Sequence, residues 1–150
     1  MNRTMSLMLG LWLMLAGIAG SSDALAASKV NVKVQVVHAT KSHKKVDSRL
    51  GRVSKHLKRL GYTGFQLLES EQAELTAKGK KKSFAIAGGR RLSVAVLSKD
   101  SERVRLRVQV QGKKGKLVDT TVSIKRNGFF VVAGPKHKGG ILVLPISARY

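Results

Sequence analysis

From Lys29 the chain reads KVNVKVQVV, with valine at 30, 32, 34 and 36 and Lys29, Asn31, Lys33 and Gln35 between them. Strict alternation of this kind predicts a strand over 29–37 with one face buried. The period changes once. Leu50, Val53, Leu57 and Leu60 recur at three- and four-residue steps, which predicts an amphipathic helix over 48–60. Asp47 is placed to cap it and Gly61 to end it, with Arg52, Lys55, His56 and Arg59 turned to solvent. A strand follows over 62–70, and 71–82 reads as a polar connection. Alternation then returns in further strands over 83–87, 91–98, 102–111, 116–125, 128–133 and 141–148.

The breaks between these strands are turn chemistry: Gly88-Gly89, 99–101, 112–115, Asn127-Gly128, and the run GPKHKGG at 134–140. Asn-Gly between apolar strands is the strongest hairpin signal among them. Spacings this short favour antiparallel neighbours, since a parallel crossover needs a dozen or more residues. The expected fold is therefore mainly β within the α+β class. It is an antiparallel β-meander, sandwich or partly open barrel, with one helix after the first strand. Pro145 inside the last strand predicts an edge position or a bulge there. The 128–133 and 141–148 strands are apolar on both sides, so the helix is the expected cover for one face.

Residues 1–26 change the expected address. Arg3 precedes an apolar run over 5–19, and Ala24-Leu25-Ala26 is an A-x-A cleavage pattern, the order of a secretory signal peptide. The apolar run is short for a transmembrane helix, so cleavage after Ala26 and a periplasmic or secreted protein are expected, with no transmembrane span in the mature chain. Residues 27–150 then form a single domain. The chain has no cysteine, so an apolar core rather than disulfides must hold it.

Charge adds a further element. The chain carries 29 Lys+Arg against 8 Asp+Glu, a net charge of +21, and residues 27–150 keep the same net value. Such a surface attracts polyanions. The basic residues are also ordered: Arg103, Arg105 and Arg107 alternate with Val104, Leu106 and Val108, putting three arginines on one face of a strand. A three-residue loop at 99–101 would pair Val96 with Val104, Val94 with Leu106 and Leu92 with Val108, setting Ala95 beside Arg105 and Ser93 beside Arg107. On the other flank, Val118–Val110, Thr120–Val108, Val122–Leu106 and Ile124–Val104 would pair, with a five-residue loop or a bulge near 112–116. Thr121 then faces Arg107, Ser123 faces Arg105 and Lys125 faces Arg103. Small neighbours leave guanidinium groups reachable, and hydroxyls beside arginines suit phosphate or sulfate. The expected anion-binding set is Arg103, Arg105, Arg107, Lys125, Ser93, Thr121 and Ser123. The plain alternative is a solvated strand face, with Asp119 pairing diagonally to Arg107. Lys136, His137 and Lys138 form a secondary basic loop.

Aromatics are too few and too apolar in context for base stacking, so sequence-specific nucleic-acid binding is not expected. His38 and His43 would make a metal site only if folding brought a third ligand to them. Glu69, Glu71 and Glu74 read as surface pairs with lysines, and no nucleophile motif or paired carboxylates point to an enzyme. No cofactor is implied. A valine-rich strand, YTGFQLL, TTVSI and GPKHKGG before ILVLPI together resemble a group of small uncharacterised exported proteins of Gram-negative bacteria. That resemblance implies an envelope or secreted location and no catalytic role. The leading expectation is a non-enzymatic exported protein that binds an anionic glycolipid, another polyanion or an acidic envelope protein. The alternative is an assembly domain that docks a protein through edge pairing of its last strand at 141–146. A metal-binding or enzymatic domain is a minor third.

Overall fold

The computed structural model describes residues 29–150; the expected signal segment lies outside them. Eight strands form two antiparallel four-stranded sheets. They are β1 (Lys29–Thr40), β2 (Gly64–Thr76), β3 (Lys82–Ile86), β4 (Arg90–Lys99), β5 (Arg103–Gly112), β6 (Gly115–Lys125), β7 (Phe129–His137) and β8 (Gly140–Arg149). One sheet has the order β2-β1-β8-β7 and the other β3-β4-β5-β6. Among the described residues no ladder joins the sheets into a closed barrel. The arrangement is a β-sandwich. No described helix is long and apolar enough to cross a membrane.

The alternating valines explain the layering. Val30, Val32, Val34 and Val36 of β1 meet Leu92, Val94 and Val96 of β4 and Val104, Leu106, Val108 and Val110 of β5 in one buried cluster between the sheets. At Val36/Val37 the pairing of β1 with β2 shifts by a bulge. The extra residue, Leu68, reverses the side-chain parity of β2, so Ala73 and Leu75 face the inner core whereas Phe65 and Leu67 face outward. Val37 and Ala39, outward by the alternation of β1, join Phe65, Leu67, Val143, Leu50 and Leu57 in a second core beneath the helical segment. The helix covers only this half of the outer face of the first sheet, and its Arg52 and His56 come near the arginine strand only at Arg103.

The helical segment is broken where the period predicted one helix. A 3-10 turn covers Ser48–Leu50, helix α1 covers Val53–Leu57, and a second 3-10 turn covers Lys58–Leu60. Gly51 interrupts it at φ +50°, a conformation glycine reaches at little steric cost. Asp47 does cap the first turn, accepting from the Arg49 N–H at 3.0 Å. Leu50 and Leu57 are buried, whereas Leu60 is 40% exposed and leaves the expected stripe.

Four other expectations need correction. Strand β2 continues to Thr76 through residues expected as a connection, because Ser70 to Leu75 keep their pairing with β1. Most of GPKHKGG belongs to β7, and only Lys138 and Gly139 turn, both at positive φ (43° and 75°). The Asn127-Gly128 turn links the two sheets instead of closing a hairpin, and only Asn127 of the pair has positive φ. Strand β8 lies between β1 and β7, so it offers no free edge, and docking through 141–146 is excluded in this fold. Pro145 is tolerated there because the β1–β8 ladder lapses between Val34↔Ile146 and Val37↔Val143, where proline has no N–H to give.

Candidate anion-binding surface

The outer face of the second sheet is assembled by register. On the β6 side it runs as expected: Arg103↔Lys125, Arg105↔Ser123 and Arg107↔Thr121, with the slip confined to Val110/Gln111. On the β4 side the pairing is displaced by two residues: Val96↔Leu106, Val94↔Val108 and Leu92↔Val110. The cause is local. Asp100 accepts the N–H groups of Glu102 and Arg103, each at 2.8 Å, which sets the loop at residues 100–102. Leu97 is left over as a bulge. A two-residue displacement keeps every side chain on its face but changes its neighbours. Arg107 therefore sits beside Ala95, Arg105 beside Ser98, and Ser93 beside Gln109. Ser93 shares a 2.8 Å hydrogen bond with Ser83 and leaves the arginine row.

The arginines are not equivalent. Arg107 donates from Nε and Nη2 to Asp119 at 3.1 and 3.0 Å, the diagonal pair anticipated from the pattern. Asp119 also accepts from Lys116 and Gln109. These bonds, Arg107 first, hold its carboxyl well below the usual carboxylate range, and Asp119 in turn raises Arg107. Arg103, Arg105 and Lys125 are exposed, and among the described residues no carboxylate lies within ion-pair distance of them.

At the Asn127 corner this block opens into a groove of about 510 Å³ that the sequence did not suggest. Arg103, Ser123 and Lys125 form one wall, Arg52 and His56 of the helical segment the other, and Phe129 and Phe130 the floor. The His56 ring meets Phe129 edge-on, centroids 4.8 Å apart. Arg52 and His56 looked like the solvent side of a helix. What brings them here is the corner turn, which carries the chain from β6 of one sheet to β7 of the other. Asn127-Gly128 was its only trace in the sequence.

The secondary basic loop lies at the far end of β7. Lys136, His137 and Lys138 line a depression with Lys41 and Tyr62. His38 donates from Nε2 to the His137 carbonyl at 2.9 Å, and Arg90 donates to the Lys136 carbonyl at 2.8 Å. Burial first, then Arg90, His38 and Lys138, lowers the His137 pKa. His38 thus meets His137, while His43 accepts from the Lys45 N–H. No three metal-ligating side chains gather among the described residues. Glu74 pairs with Lys29 at 3.0 Å as expected, whereas Glu69 tucks one carboxylate oxygen away from water and from any hydrogen-bond partner. Compared with protein families, curated proteins and solved structures, the chain matches none.

Proposed function

We propose that the protein is a non-enzymatic binder of an anionic partner outside the cytoplasm, acting through the outer face of the second sheet. One observation carries the reading. Arg103, Arg105 and Lys125 stand exposed and free of carboxylates among the described residues, bordered by Ser98, Thr121 and Ser123. Alternate strand positions lie about 6.5–7 Å apart, about two phosphate steps at roughly 3.4 Å of axis each along one strand of DNA. Arg107, neutralised by Asp119, plays a smaller part than its neighbours. An address outside the cytoplasm rests on the signal-like order of residues 1–26.

The test is polyphosphate affinity over a salt series. Binding falls steeply with salt, and replacing Arg103, Arg105 and Lys125 together by Ser lowers the salt slope by about 2 to 3, at roughly 0.7–0.9 per lost contact. Salt-insensitive binding, or a triple variant that binds like the parent, overturns the proposal.

A further inference from the structure

Next to the groove, on the far side of Arg52 and Phe129, lies a smaller and more enclosed cleft of about 200 Å³. It is cut between the Gly51 break and the uncovered half of the first sheet. Lys33 and Gln35 come from β1, and Pro145, Ser147 and Arg149 from β8. Register lines them up: Lys33 pairs with Ser147, which pairs with Phe129. Lys33, Arg52 and Arg149 are exposed cations without a carboxylate partner among the described residues, whereas Arg49 is held by Asp47. Gln35 is the unusual member. The residue is only 8% exposed, yet its side-chain amide is not among the enclosed unpartnered atoms and makes no hydrogen bond among the described residues, so its polar atoms open onto the cleft. Its C=O wants a donor and its NH2 an acceptor. The charged oxygens of a phosphate accept and are drawn to the cations beside them, whereas a sugar hydroxyl both donates and accepts and so matches both ends of the amide. The cleft is smaller than the roughly 300–1,000 Å³ that encloses a drug-sized ligand, which limits it to a single ring.

We propose that this cleft is a subsite for one phosphate-bearing sugar unit, with Lys33, Arg52 and Arg149 on the phosphate and Gln35 and Ser147 on ring hydroxyls. The proposal rests on the anion-binding reading above and makes the ligand a phosphorylated glycan that continues over Phe129 into the groove. Calorimetric titration tests it with glucose 6-phosphate, inorganic phosphate, glucose and oligothymidylate as probes. Glucose 6-phosphate binds about tenfold tighter than phosphate, the scale of one or two hydrogen bonds, and glucose alone does not register. Gln35→Leu brings glucose 6-phosphate down to the level of phosphate and leaves phosphate unchanged; Arg149→Ser weakens both. Should Gln35→Leu fail to fold, the Gln35 side-chain amide resonances carry the test, shifting with the sugar phosphate and not with phosphate. Equal affinity for the two, indifference to Gln35, or oligothymidylate binding that glucose 6-phosphate cannot displace overturns the proposal. If polyphosphate binding still depends on Arg103, Arg105 and Lys125, that failure removes the sugar subsite alone. If it does not, the anion-binding reading falls with it.

Discussion

Asp119 gathers Arg107, Lys116 and Gln109 onto one carboxylate and so sets how much of the arginine row remains available. Asp119→Asn releases two cations and adds one net charge, so polyphosphate binds more tightly and its salt slope steepens, by roughly 0.7–0.9 for each new contact. Unchanged affinity would mean that the row does not meet the ligand. Acid acts on the same class of residue. Asp47, held by the Arg49 side chain and backbone, and Asp100 and Asp119, held by their own partners, all titrate below their ordinary values. Each binds fewer protons folded than unfolded. Their stabilisation is complete above the unfolded value near ~4 and is lost as pH falls through the lowered folded values. His137 is also lowered, so its contribution is complete above the unfolded value near ~6.5 and fades below it. Melting followed from pH 8 to 2 therefore declines in two stages. His137→Gln removes the upper stage, and Asp47→Asn makes the lower one shallower.

At the level of elements, the helical segment is a cover held by few side chains. Leu57 is fully buried against Phe65, Leu67 and Val143, whereas Leu60 is 40% exposed. Leu57→Ala should cost roughly 2–5 kcal/mol in chemical denaturation, and Leu60→Ala under about 1 kcal/mol. Equal costs would mean that the segment does not pack as described. The expected stripe included both residues, and a helical wheel cannot separate them. The separation comes at Lys58, where the α-helix gives way to a 3-10 turn over Lys58–Leu60 and the side-chain period tightens. Sheet elements follow a similar logic. The odd-numbered residues of β5 faced outward as expected, because alternation determines the face. Their neighbours on β4 moved by two residues, because a bulge at Leu97 and a carboxylate-closed loop determine register.

For the whole molecule, a net charge of +21 spread over a small sandwich opposes its own compactness. Screening relieves this: the Debye length falls from about 30 Å at 0.01 M to about 10 Å at 0.1 M salt. The melting temperature should rise over that range in sodium chloride. Polyphosphate should raise it further at low salt and lose that effect as salt increases, since only a ligand of the folded state stabilises by mass action. Melting that is flat or falling with salt would show that the charges are already balanced locally.

The sequence alone was enough for the antiparallel β-rich class, the buried valine faces, the outward arginines, the Asp47 cap and the basic character. All of these follow from local period and composition. Tertiary structure decided the rest. The choice of a two-sheet sandwich over a partly open barrel came from the strand order. Strand order put β8 inside the sheet and gave Pro145 a lapse in the ladder, because edge and centre differ only through neighbours distant in sequence. The corner at Asn127 joined Arg52 and His56 to Arg103 and Lys125, and the chain around Gly51 left Gln35 largely covered beside an open cleft. Alternation tells which way a side chain points. Only the packing of distant segments tells what stands opposite it.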